Sequence, residues 1–349
     1  MIRSISIQDF VYSKDPIVLA DVRTPAEFEH GHVPGAFNLP IFTNEERAHV
    51  GTTYTKGSRE EAILLGFDLT ASKWSGFIRA ALEIAPDKKI ALYCWRGGMR
   101  SGAMAWVLSF YGFEVFLIEG GYKKYRNWVH QQFQKKFNLF ILGGMSGSGK
   151  TRLLHGLKIC GEQIIDLEDL AQHQGSAYGS LGQLTQPSQE QFENNLAQVL
   201  KTLSSEKVWI EDESFIIGKC TIPASFWEQM QNAPTINLLL EREKRIASLV
   251  NEYGVLHPTF LVNCTQRISK RLGLEQARQA TEAIYENRME DFISIVLVYY
   301  DKTYRKAMAK RQPAKIFPIS ISGNDLTNDV RLILHYSKTI NQDSKSSTY

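Results

Sequence analysis

The stretch Cys94–Ser101, CWRGGMRS, sets one thiol before two adjacent glycines and an arginine. Ile90–Tyr93 ahead of it read as a buried strand, and the apolar spacing after Ser101 reads as a helix. The thiol therefore falls on a strand–loop–helix turn, where loop N–H groups and a helix N-terminus converge. Such surroundings favour an anion. A thiol with an ordinary pKa of ~8.5 can fall to ~3.5–7.5 beside a helix N-terminus and arginine. Cys94 reads as a nucleophile, with Arg96, Gly97, Gly98 and Arg100 as its anion cradle. The alternative is a small buried hydrophobe at a strand end.

A second anion site follows. Phe137–Leu142 are strand-like, and Gly144–Thr151 fit G-x-x-x-x-G-K-T, the P-loop. Gly144, Gly147 and Gly149 let backbone N–H groups close around a polyphosphate. Lys150 reaches its terminal phosphates, and Thr151 can bind Mg²⁺. A carboxylate that holds Mg²⁺ or its water belongs after a nearby strand. KVWIEDES offers Asp212 first, with Glu211 close behind, and QIIDLEDLA offers Asp166. Exposed carboxylates at strand ends would look the same.

The elements that must hold these sites fit a chain of 349 residues, long enough for two domains. Apolar residues make up 43% and charged residues 22%, as in ordinary globular proteins. A net charge of +3 is too small to imply a polyanionic partner by itself. Cys94, Cys160, Cys220 and Cys264 show no C-x-x-C spacing, so neither a disulfide framework nor a zinc site is expected. A reactive thiol suits a reducing compartment. The N-terminus has no apolar signal core, and the run FISIVLVYY from Phe292 is too short to span a bilayer. The expectation is a cytoplasmic protein without membrane contact.

In chain order, Pro16–Val22 read as a buried strand. Thr24, Pro25 and Glu27 then read as a capped helix start. Ile41–Gly66 read as a loop followed by a helix from Ser58, with Glu61 completing its capping box. Val115–Ile118 read as a strand, Gly120–Gly121 as a turn, and the stretch through Trp128 as a helix. From Thr265 to Arg311 the pattern is helical and basic. Lys270 and Arg271 lie in one cluster, and Lys306, Lys310 and Arg311 in another. Tyr299, Tyr300 and Tyr304 interleave with the second cluster. Basic side chains with aromatics suit RNA, though a charged helical face can simply be solvated. The tail NQDSKSSTY reads as disordered.

D-V-R from Asp21, GHVPGA from Gly31, the Cys94 loop and EGG-x-x-x-W together resemble a rhodanese domain over roughly residues 1–130. The resemblance implies a cysteine that carries sulfur or selenium. Cys94 to Arg100 spans seven residues, one more than common sulfurtransferase loops and equal to the C-x5-R spacing of cysteine phosphatases. Tyr93 stands where those phosphatases usually carry histidine. The expected fold is α/β throughout. A rhodanese-like parallel domain over 1–130 precedes a P-loop NTPase-like domain over 131–349 with a basic helical C-terminal part.

The pairing resembles the tRNA 2-selenouridine synthases. TNEERAHVGTTY from Thr43, DLEDLA from Asp166, HQGSAYG from His173, PSQEQFEN from Pro187, EDESFIIG from Glu211, KRLGL from Lys270 and YYDKTYR from Tyr299 carry the resemblance. Gln174 departs from the arginine usual in HQGS, which would weaken one phosphate contact. The resemblance implies geranylation of wobble 2-thiouridine in tRNA by geranyl diphosphate, then selenation by selenophosphate. A selenophosphate-supplying synthase is the implied partner and Mg²⁺ the implied ion. Two other classes fit the motifs: a nucleotide-dependent RNA-modifying kinase with a rhodanese regulator, and a non-catalytic chalcogen carrier.

Overall fold

The computed structural model describes residues 1–176, 178 and 185–346, with side chains described through Ile340. The chain divides into two compact units. The first holds Met1–Phe133 and Glu190–Gln198, and the second holds Gln134–Gln189 and Val199–Tyr349.

The first unit contains strands β1 (Ile2–Ile5), β2 (Val18–Asp21), β3 (Phe37–Asn38), β4 (Lys89–Tyr93) and β5 (Glu114–Ile118). They form one parallel sheet in the order β1-β5-β4-β2-β3. Its helices are α1 (Ile7–Val11), α2 (Pro25–His30), α3 (Asn44–Lys56), α4 (Arg59–Thr70), α5 (Trp74–Ile84), α6 (Met99–Tyr111) and α7 (Gly121–Gln132). A parallel sheet needs cover on both faces, so its central strands are apolar throughout. In β4, Ile90, Ala91 and Leu92 are fully buried, and Ile90 and Leu92 share a core with Met104 and Leu108 of α6. Thr24 with Glu27 and Ser58 with Glu61 form the expected capping boxes. The stretch expected as loop before Ser58 is instead α3, capped by Thr43 and Glu46.

The expected boundary between 130 and 131 omits the returning segment 190–198. Its attachment is polar and specific. Tyr122 Oη donates to Glu190 Oε1 at 2.9 Å, and Asn194 Nδ2 donates to Tyr122 Oη at 2.7 Å. Arg126 binds Asn194 Oδ1 at 2.6 Å and forms an ion pair with Glu193.

The second unit contains β6 (Asn138–Gly144), β7 (Gln163–Ile165), β8 (Lys207–Glu211), a small β9 (Ile216–Ile217) and β10 (Cys220–Thr221) hairpin, β11 (Thr235–Leu239) and β12 (Ile316–Ser320). The main sheet is parallel, in the order β12-β11-β6-β8-β7. Helices α8 (Lys150–Ile159), α9 (Leu167–Ala171) and α10 (Gln189–Thr202) follow in the chain, α10 with its ends in this unit and its middle, Glu190–Gln198, in the first. With α11 (Ala224–Asn232) they precede a helical part. That part comprises α12 (Arg242–Tyr253), α13 (Pro258–Leu272), α14 (Leu274–Tyr285) and α15 (Met289–Met308). It has its own core around Leu261, Phe292, Ile293 and Leu297. The last helix, α16 (Leu326–Ser346), is helical where the tail was expected to be disordered, and 347–349 lie outside the described residues. The chain leaves β6 at the sheet's centre and turns into α8. Ligands bind at such a switch point in open parallel sheets.

Candidate active site

Cys94 directly follows β4 and is 4% exposed. Its Sγ accepts hydrogen bonds from Gly98 N at 3.2 Å and Ser101 Oγ at 3.3 Å. Burial pushes the thiol up. The Ser101 hydroxyl and the backbone N–H groups of Ser101, Gly98 and Arg96 outweigh that, and the net effect lowers it. Arg96 and Gly98 therefore act through backbone, and the Arg96 side chain is exposed.

The Gly120–Gly121 turn supports this loop from beneath. Tyr122 N donates to Cys94 O and Lys123 N to Trp95 O, both at 2.9 Å. Gly121 sits at φ +56°, and a Cβ there would run into Cys94 O and Gly97 N. The conspicuous Asp21 and Arg23 are a brace rather than a reactive pair. They bond at 2.7 Å, Arg23 Nη2 donates to Gly31 O at 2.6 Å, and the guanidinium stacks 3.8 Å over the Tyr122 ring. Tyr93 Oη accepts from Val33 N at 3.2 Å, tying down the same turn.

Arg100 donates from Nη1 to Glu27 Oε2 at 2.7 Å and from Nη2 to Oε1 at 3.3 Å. Burial pushes the Glu27 carboxyl up, but Arg100 and the Thr24 N–H hold it below its ordinary range. Two of the five guanidinium donors are thus committed, and three remain for an anion.

In the second unit Lys150 Nζ donates to Gly144 O at 2.9 Å, within the loop that carries Gly147 and Gly149. Thr151 Oγ1 lies 3.3 Å from both Glu168 Oε2 and Glu211 Oε2. Glu168, Glu211 and Glu213 each offer an oxygen within 4.8 Å of the others. Gly175 approaches so closely that a Cβ there would strike Glu213 Oε2. Burial pushes all three carboxyls well above their ordinary range; repulsion from Glu213 and Glu211 adds to it at Glu168, from Glu211 at Glu213 and from Asp166 at Glu211, while Lys150 opposes it at each. Glu211 Oε1 is buried with no hydrogen-bond partner among the described residues. Crowded carboxylate oxygens and an orphaned lone pair beside the P-loop threonine fit a hard divalent cation.

Asp212, the first choice from sequence for magnesium, does not face Thr151. Its Oδ1 binds Arg311 Nη2 at 2.5 Å. Asp166 caps α9 through Asp169 N at 2.8 Å and pairs with His155 Nε2 at 2.7 Å. Among the expected RNA contacts, Lys270, Arg271, Lys306 and Lys310 are exposed. Arg311 is not. It is 7% exposed and also donates to Met230 O at 2.9 Å and Thr235 Oγ1 at 3.2 Å, so the structure removes it from the RNA set. Tyr299 and Tyr300 pack against the helical core, and Tyr304 Oη donates to Asn237 Oδ1 at 2.8 Å. Gln174 is exposed, while Ala177 and Gly179 of the same motif lie outside the described residues.

Four residues were not singled out from sequence. Ser101 closes the CWRGGMRS run and Glu27 stands at the third position of a capping box, so both carried a signal. Glu168 and Glu213 lay within acidic runs that gave no reason to choose them.

These two loops and their sheets place the chain among proteins that join a rhodanese-like domain to a P-loop domain. A model of the rhodanese-like domain matches residues 10–127, and a model described as the tRNA 2-selenouridine synthase AAA domain matches 137–323. The chain belongs to the tRNA 2-selenouridine synthase family. It is 38% identical over 254 residues to the tRNA 2-selenouridine synthase of Bdellovibrio bacteriovorus, covering 68% of this chain and 64% of the relative. It is 32% identical over 354 residues to that of Nitrosomonas europaea, covering 84% and 90%. The corresponding figures for Shewanella frigidimarina are 33% over 343 residues, 86% and 90%.

Proposed function

We propose that the chain forms 2-selenouridine in tRNA in two steps, acting on 2-thiouridine at the wobble position. The observation that carries this reading is that a chain of this family keeps both anion loops with their supporting contacts. Cys94 has its donors Gly98 and Ser101, and Lys150–Thr151 have their carboxylate cluster.

In the first step the thiouridine sulfur bonds to C1 of geranyl diphosphate, the C1–O bond breaks, and pyrophosphate leaves as the base gives up its N3 proton to solvent. Lys150 and the N–H groups around Gly144, Gly147 and Gly149 stabilise the departing charge. Thr151 with Glu168, Glu211 and Glu213 would hold Mg²⁺, which supplies further charge neutralisation when bound.

In the second step selenium of selenophosphate bonds to C2 of the base. The C2–S bond breaks, and geranylthiol leaves with a proton. The phosphoryl group left on selenium passes to the Cys94 thiolate, which frees the selone, and water then releases phosphate and the thiol. The seven-residue loop supports this assignment, because a longer ring of donors suits a tetrahedral anion. Arg96, Gly97, Gly98 and the open edge of Arg100 form its cradle. A separate synthase would supply the selenophosphate, and four free cysteines suit the reducing cytoplasm.

The test is nucleoside mass spectrometry of thiolated tRNA incubated with the protein, geranyl diphosphate and selenophosphate. Cys94→Ala should yield geranylated tRNA without 2-selenouridine, and Lys150→Ala should yield neither. Loss of geranylation in a folded, tRNA-binding Cys94→Ala protein would refute the division between the loops.

A further inference from the structure

The first unit contains a cavity of about 920 Å³ enclosed by α3, α4, α5 and the early turns of α6. Phe42, Val50, Ile63, Phe67, Trp74 and Trp106 give it apolar walls. Three arginines, Arg47, Arg59 and Arg100, also line it. Arg100 is held by Glu27, whereas neither Arg47 nor Arg59 meets an acidic side chain among the described residues.

Three observations suggest a ligand. Helix α3 buries none of its side chains, yet capping fixes it where Val50 and Tyr54 line this space. Large apolar side chains stay open to solvent there: Tyr54, Phe67, Met99 and Trp106 are all more than half exposed. Met99 and Arg100 belong both to the Cys94 loop and to the cavity lining, so the space begins where the thiol loop ends.

The occupant must be apolar, must reach the thiol loop and must belong to an anionic molecule that the arginines can meet. We propose that the cavity receives the geranyl chain of S-geranyl-2-thiouridine during selenation, while Arg47 and Arg59 face the surrounding RNA phosphates. This rests on the two-step reading above. A ten-carbon chain with its base has about eighteen heavy atoms, and pockets of roughly 300–1,000 Å³ enclose ligands of that size. The cavity lies in the same unit as Cys94, where the geranylthio group must be held as it departs. The chain thereby distinguishes the geranylated intermediate from the 2-thiouridine that precedes it.

The probes are two anticodon stem–loop RNAs that differ only in carrying S-geranyl-2-thiouridine or 2-thiouridine. In the full-length protein, Phe67→Asp should reduce the preference for the geranylated RNA by tenfold or more. It should also raise KM for selenation of that RNA supplied ready-made. Phe67→Leu, which keeps an apolar wall, should restore both. The free S-geranyl nucleoside should change the fluorescence of Trp74 and Trp106, and Trp106→Phe should diminish that change. An unchanged preference in Phe67→Asp overturns the proposal. So does an equal loss for both RNAs. So does a change of oligomeric state without a change in preference, which would give this face to a second copy of the chain. If the parent makes no geranylated tRNA from geranyl diphosphate yet binds the S-geranyl nucleoside in this cavity, the two-step reading fails and the site stands.

Discussion

Replacing Ser101 by alanine tests what lowers the pKa of the Cys94 thiol. Sγ accepts from Ser101 Oγ at 3.3 Å and from Gly98 N at 3.2 Å, and the substitution removes the first donor while keeping the second. A hydrogen bond to a charged group contributes about 1.5–3 kcal/mol. At 1.36 kcal/mol for each pKa unit, the thiol should rise by about one to two. Burial, which already pushes this thiol up, is unchanged and then goes less opposed. At a fixed pH below the pKa, the thiolate fraction should fall by about ten- to a hundredfold. The assay is a pH titration of thiolate ultraviolet absorbance, with the Cys94→Ala protein subtracted to remove the other three cysteines. Ser101→Thr keeps a hydroxyl and should titrate near the parent. A midpoint that does not move in Ser101→Ala would refute the argument and leave the backbone donors as the whole cause.

On the proposed two-step reading, Glu211→Gln should raise the Mg²⁺ concentration needed for geranyl transfer about tenfold or more, since the carboxylate cluster then offers one charged oxygen fewer. Asp212→Asn should leave that requirement unchanged but lower the melting temperature, because breaking a buried pair such as Asp212–Arg311 costs roughly 3–5 kcal/mol. Neutralising Lys306 and Lys310 should flatten the salt dependence of tRNA binding by roughly 0.7–0.9 for each phosphate no longer neutralised. Arg311→Ala should leave that slope alone and destabilise the fold, as thermal unfolding would show.

Both loops could be read in the sequence because each is local: a strand, a glycine-bearing turn and a helix start within a dozen or so residues. Capping boxes at Thr24 and Ser58 were legible for the same reason. The box at Thr43 was equally present, but α3 has no apolar stripe facing a core, so periodicity gave no helix there. Which carboxylate stands beside Thr151 was a question of parity. Successive side chains at a strand end point to opposite faces. Glu211 and Glu213 turn toward Thr151 and Glu168, and Asp212 turns toward Arg311. Nothing in EDES says which face the P-loop helix covers. Arg311 was misread because its partners, Asp212, Thr235 and Met230, are distant in sequence.

Residues Glu190–Gln198 complete the first unit although residues 134–189 of the second come between. A gene fragment ending at Phe133 would encode an unfinished domain, in which Arg126 lacks Glu193 and Asn194 and the Tyr122 hydroxyl lacks both its partners. On the ribosome, this unit cannot close its polar seam until the phosphate loop has already been synthesised. Recombination faces the same obstacle. A crossover between the two motifs would exchange part of a domain rather than a whole one, which ties the inheritance of the thiol loop to that of the phosphate loop.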